Sequence, residues 1–141
     1  MSLLTIEARL EMLDSALDFV ATEAEKAYSD AINVNRIRLV AEEVLVNIIS
    51  YAYPGTTGTI EISCTGVPEK GLSLEIADYG IPFDPLLNAP ANFTHLPIEE
   101  RPIGGLGLSL VTSVMDSVIY ERAGDRNILS MEKRGKQGLS C

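Results

Sequence analysis

Two side chains one helical turn apart can do chemistry in this chain. Glu43 and Asn47 stand four residues apart within LVAEEVLVNIISYAY, residues 39–53. On a helix that spacing stacks them on one face. An amide oxygen can ligate Mg²⁺, which takes oxygen ligands and usually keeps waters and phosphates around it. A glutamate beside it can orient or deprotonate an attacking hydroxyl. A solvated helix face is the plainer reading of the same pair. The second candidate is Asp78-Tyr79-Gly80, where the carboxylate can accept from an amino group and glycine lets a ligand approach the backbone; Asp and Gly are also ordinary turn formers. The third is Gly104-Gly105-Leu106-Gly107, which runs straight into an apolar helix-like stretch. Free N–H groups at such a helix start suit phosphate, although glycines before helices are common.

These residues need elements to hold them. Val40, Val44, Leu45, Ile48 and Tyr51 follow the i, i+3, i+4 pattern of a core stripe around the Glu43–Asn47–Ser50 face. Upstream, Leu10, Leu13, Leu17, Val20, Ala24 and Tyr28 predict an amphipathic helix over 9–28. Residues 29–35 break it and offer Asn35 as the next N-cap. The opening LLTIEA fits a short edge strand or a fraying helix. After Pro-Gly-Thr-Thr-Gly the period changes to two: Ile60, Ile62 and Cys64 alternate with polar residues, as do Leu72, Leu74 and Ile76 beyond the loop GVPEKG. An antiparallel hairpin with one buried face is predicted. Parity puts Asp78 on that buried face, where a carboxylate must be hydrogen-bonded or face a pocket.

Residues 82–102 hold five of the seven prolines and no regular period. A segment of that kind is a functional lid or a disordered loop. Residues 116–122 and 127–133 read as two last strands joined at Ala-Gly-Asp-Arg, and RGKQGLSC as a loose tail.

Composition narrows the classes. One domain is expected from 141 residues, 46% of them hydrophobic. Twenty Asp and Glu against 11 Lys and Arg, a net charge of −9, argue against direct nucleic-acid binding. No run approaches a membrane span and the N-terminus carries acids within its apolar stretch, so a cytoplasmic location is expected. Cys64 reads as a small core residue and Cys141 as tail. Neither has the spacing of a zinc or redox motif. His95, the single histidine, has no carboxylate at useful spacing.

The three motifs in order resemble the Bergerat-type ATP-binding superfamily of gyrase, histidine kinases and MutL. More narrowly, AEEVLVNIISYAYP, ADYGIPFDP, GGLGLSLV and MDSVIYER are similar to the anti-sigma-factor serine/threonine kinases of bacterial stress and sporulation switches. The resemblance covers roughly residues 5–134. It implies an α/β (α+β) two-layer sandwich, with a mixed, mostly antiparallel sheet covered on one face by helices. Residues 1–134 would form the ATPase domain, 82–103 its lid and 135–141 a flexible tail. It implies ATP and Mg²⁺ as cofactors. Asn47 would ligate the metal, Glu43 would act as general base, and Asp78, beside Gly80, would bond the adenine amino group. Gly105, Leu106 and Gly107 would support the phosphates and Arg101 would reach a γ-phosphate or the partner's phosphorylated side chain. Expected partners are a sigma factor, a STAS-type anti-anti-sigma protein that is phosphorylated, and a second copy in a homodimer.

Pro82 departs from the wider superfamily, which often has glycine there. Ser130 falls near the place where relatives carry a pocket-lining Thr. The alternative to a kinase is a non-catalytic module, nucleotide-gated or nucleotide-free, that sequesters its partner. The ATPase half of a histidine kinase fits poorly, because residues 1–34 contain no histidine.

Overall fold

Asp30 sets where the site-bearing helix begins. In a computed structural model that describes residues 2–85 and 107–135, its carboxylate accepts from the Asn33 backbone N–H at 2.9 Å and the Asn33 amide at 3.1 Å. Helix α2 therefore runs Ala31–Tyr51, and Asn35, the cap expected from sequence, lies inside it. Both residue types cap well, but Asp also adds a negative charge at the positive end of the helix dipole. Ile37, Val40, Ala41, Val44, Leu45 and Ile48 of α2 are fully buried. Helix α1, Leu13–Ala27, buries Ala16, Leu17, Val20 and Ala24. A 3₁₀ turn over Leu10–Met12 precedes it, so Leu10 leaves the expected stripe and is 61% exposed.

Five strands form one sheet in the order β1-β2-β3-β5-β4, every neighbouring pair antiparallel. They are β1 (Ser2–Glu7), β2 (Thr59–Val67), β3 (Gly71–Asp78), β4 (Ser117–Ala123) and β5 (Arg126–Arg134). The opening segment, open between strand and helix in the sequence, is the edge strand β1. Ile60, Ile62, Cys64, Leu72, Leu74, Ile76, Leu129 and Met131 point toward α1 and α2 and close the core. The hydroxyls and carboxylates of Ser63, Thr65, Ser73 and Glu75 alternate onto the other face. The expected two-layer architecture is present, with helices on one side of the sheet. Helix α3, Gly107–Val114, packs beside α2, and Lys133 Nζ caps its last turn at the Val114 carbonyl, 3.1 Å away.

The β2–β3 hairpin is tighter than the loop GVPEKG implies. Gly66 belongs to β2 and points inward, where α1 crosses the strand. A Cβ there would stand 1.9 Å from the Glu23 carbonyl oxygen. Glu23 itself is buried. Its side chain accepts from Gly66 N at 3.1 Å, Ser2 Oγ at 2.9 Å and Lys26 Nζ at 2.6 Å. The Lys26 bond, aided by those from Gly66 and Ser2, holds its carboxyl below the usual range against the cost of burial. Gly66→Ala should force α1 off the sheet and cost about 3 kcal/mol, lowering Tm by on the order of 10 °C. Thermal and urea melts measure this directly.

Candidate functional site

Asn47 is almost completely buried although it is polar, so its partners define the site. It lies on α2 one turn beyond Glu43, and its Nδ2 donates to the Pro85 carbonyl at 2.9 Å. Of the amide, the oxygen is then the atom that could ligate a metal. Glu43 is half-buried, and its Oε2 is enclosed with no hydrogen-bond partner among the described residues. Burial pushes its carboxyl up, with Glu42 adding to the rise and Asn47 opposing it. An enclosed, unsatisfied carboxylate oxygen one helical turn from a buried amide is a pair whose chemistry suits a substrate hydroxyl and a hydrated Mg²⁺. No cluster of three His, Cys, Asp or Glu that could hold a metal occurs among the described residues, so protein carboxylates alone do not build a cage.

Asp78 ends β3 on the buried face, as strand parity predicts, and is 1% exposed. Its Oδ1 accepts from Gly80 N at 2.8 Å and from Asn127 Nδ2 at 2.9 Å. Both bonds fall on one oxygen, so Oδ2 is the oxygen that could accept from a ligand. Burial raises the Asp78 carboxyl above its ordinary range, while Asn127, Gly80 and Arg122 pull it down.

Residues 80–85 run between these two positions without regular structure, yet their backbone groups are held. Ile81 N donates to the Ala52 carbonyl, the C-cap of α2, at 2.9 Å. Arg122 donates to Gly80 O at 2.8 Å, and Asn127 bonds Ile81 O at 2.7 Å and Phe83 N at 3.1 Å. Phe83 also packs on Tyr51 of α2, with ring centroids 5.9 Å apart. Gly80 is needed because a Cβ would stand 2.2 Å from Ala52 O. Glycine here lets the segment press against the end of α2, a packing role that stands beside the ligand approach expected from sequence.

Residues 80–85 thus link Asp78 and Gly80, at the end of β3, to Asn47 through the Pro85 carbonyl, with Glu43 one turn before Asn47 on α2, and Gly107 opens α3, which packs beside α2. Arg101, Gly105 and Leu106 lie outside the described residues. Ser130 does not join the site: its register partner is Glu75, and its hydroxyl points to Glu75 Oε1 on the outer face. The residue opposite Asp78 is Asn127, buried and missed in the sequence. Parity carried the signal, since Asn127 leads Leu129 and Met131 on the inward face just as Asp78 follows Leu74 and Ile76.

With an antiparallel sheet, a helix bearing Glu-x-x-x-Asn and an inward Asp, the class is settled by the family comparison. Residues 6–133 match the histidine kinase-like ATPase domain, and the chain belongs to that family. Within it, the chain is similar to the serine-protein kinases RsbW of Bacillus thuringiensis (strain Al Hakam) and Bacillus cereus (strain AH187), each 31% identical over 105 residues. That match covers 70% of this chain and 61% of each relative's length. In fold it is similar to the Acinetobacter baumannii histidine kinase AdeS, with a TM-score of 0.51 at 19% identity over 96% of this chain and 68% of the other. No helix among the described residues is long and apolar enough to cross a membrane.

Proposed function

We propose that the chain is an ATP-dependent serine/threonine protein kinase that acts as an anti-sigma regulatory factor, phosphorylating a STAS-type anti-anti-sigma protein. The observation that carries this reading is the enclosed, unpartnered Glu43 Oε2 one helical turn from the buried Asn47. Similarity to the RsbW serine kinases supports the choice of substrate class. Sequestration of a sigma factor, homodimer formation and a cytoplasmic place of action belong to the same proposal.

Each chain residue has a distinct task. Asp78 Oδ2 accepts the adenine amino hydrogen, and the 80–85 segment supplies a rigid wall beside the base. Asn47 offers its Oδ1 to Mg²⁺, which when bound neutralises phosphate charge. Glu43 accepts the proton of the partner's serine or threonine hydroxyl as that oxygen attacks the γ-phosphorus and the bond to the β,γ-bridging oxygen breaks, releasing ADP. Its raised carboxyl range suits a base that must also give the proton up. Gly105, Leu106 and Gly107 would support the phosphates, and Arg101 would serve the γ-phosphate or the phosphorylated side chain.

Incubation with γ-labelled ATP and a candidate STAS-fold partner tests the proposal. Label on the partner's serine or threonine is the expected result. A stable complex with no transfer would favour the sequestering module instead. Asn47→Ala should remove most of the Mg²⁺-dependent part of the nucleotide's Tm shift, measured by melting with ATP in Mg²⁺ and in EDTA.

A further inference from the structure

Asn127 is saturated with hydrogen bonds in a way that fixes which way its amide faces. Its Oδ1 is surrounded by donors: Tyr120 Oη at 2.6 Å, Phe83 N at 3.1 Å and an Arg122 guanidinium nitrogen at 3.3 Å. Its Nδ2 meets acceptors, the Ile81 carbonyl at 2.7 Å and Asp78 Oδ1 at 2.9 Å. A flipped amide would set N–H against three donors and oxygen against two acceptors, so only one orientation is tolerated. Asn127 is 1% exposed, and β5 places it directly across from Asp78. The donor it presents to Asp78 is thus held by Tyr120 and Arg122 of β4 and by the 80–85 segment.

That arrangement has a consequence at the ligand-facing oxygen. With Oδ1 occupied by Asn127 and Gly80, the Asp78 carboxylate cannot swing, and Oδ2 is aimed at one place. We propose that Asn127 is a positioning residue that locks the rotamer of Asp78 and so sets the preference of the site for an adenine over a guanine nucleotide. The inference rests on the nucleotide-binding reading above. An adenine presents an amino donor to Oδ2, whereas a guanine presents a carbonyl oxygen in the corresponding position, which a fixed carboxylate repels. A carboxylate free to rotate discriminates less.

Asn127→Asp separates this role from simple support of the fold. The substitution keeps the acceptor for Phe83, Tyr120 and Arg122 but replaces the donor facing Asp78 with a second carboxylate oxygen. Two carboxylates at that separation repel, so the pair is fully ionised only at the higher pH and takes up one shared proton as pH falls. That proton restores a donor to Asp78 Oδ1. Dissociation constants for Mg·ATP and Mg·GTP are measured by calorimetry at pH 8 and pH 5.5, with melts to follow folding. Wild type should prefer ATP, with an affinity that is flat or falls on acidification. In Asn127→Asp the ATP:GTP preference should drop about tenfold or more at pH 8 and recover toward pH 5.5. An unchanged preference at both values, or loss of both nucleotides in equal proportion with no pH dependence, would overturn the proposal. If Asn127→Asp does not fold, Asn127→Ala removes the donor to Asp78 without added charge; a lowered ATP:GTP preference at both pH values is expected, and a preference equal to wild type overturns the proposal again. Wild type that binds neither nucleotide would instead remove the nucleotide reading itself, and this inference with it.

Discussion

Glu43→Gln is expected to lower phosphoryl transfer to the STAS-type partner by at least about 10²-fold, and up to about 10⁴-fold, while Mg·ATP affinity stays within about threefold. Glutamine keeps the shape and one acceptor oxygen, so the α2 face and the Asn47 contact with Pro85 persist. What the proposed mechanism loses is the base that takes the hydroxyl proton as the partner's side chain attacks. Single-turnover transfer and calorimetry on the same preparations check the two halves separately. Stability should move the other way. Burial raises the Glu43 carboxyl in the folded state, so the fold favours the protonated form. Its contribution is complete below the ordinary carboxylate range and is lost as pH rises through the raised folded value. The neutral amide is free of that loss, and at pH 7 the variant should melt slightly higher than wild type. Equal transfer rates in the two proteins would remove Glu43 from the reaction.

Asp78→Asn should nearly abolish nucleotide binding and stabilise the free protein at the same time. The variant puts an amino group where Oδ2 stands, so a donor faces the adenine donor. A loss of about 100-fold is expected, from a charge-assisted bond removed and a repulsion added. By mass action, ATP at 100 times its wild-type Kd stabilises the fold by about 2.7 kcal/mol; after a 100-fold loss about 0.4 kcal/mol remains. In the free protein the substitution removes an ionised carboxyl from a site that is 1% exposed, while an amide oxygen still accepts from Asn127 and Gly80. The folded Asp78 carboxyl lies above its unfolded value, so its contribution is present at low pH and lost as pH rises through that raised value. Wild type and variant should therefore converge in acid and separate toward neutrality, where Asp78→Asn gains about 1 kcal/mol, or about 3 °C. Melting curves across pH, with and without nucleotide, read both effects.

The site was legible in the sequence where a local period ran through it. Alternation at Leu72, Leu74 and Ile76 was enough to turn Asp78 inward, and the i, i+4 spacing was enough to stack Glu43 and Asn47. Asn127 obeyed the same parity rule, but nothing local says that its strand lies beside β3. The pairing of Asp78 with Asn127 comes from β5 inserting between β3 and β4, a long-range choice that no window of sequence holds. Ser130 was placed near the pocket for the same reason, since the register that turns it to Glu75 is a property of the sheet. Asp30 and Asn35 are both competent caps for α2, and the Asp30–Asn33 bonds decide between them. Gly80 shows a different limit. Its need for a missing Cβ depends on Ala52, 28 positions earlier in the chain, whose carbonyl it would strike. The motif Gly104-Gly105-Leu106-Gly107 is followed by a helix beginning at Gly107, in keeping with its apolar continuation.

Calorimetric titration of Mg·ATP and Mg·ADP into the wild-type chain and Asp78→Asn bears most directly on the central claim, that α2 and the β3 end form a nucleotide wall. Saturable binding to wild type with a Kd well below about 1 mM, and its loss in Asp78→Asn, is the predicted result. Absence of heat and of any Tm shift at millimolar nucleotide in folded wild-type protein, or equal binding by both proteins, would contradict it.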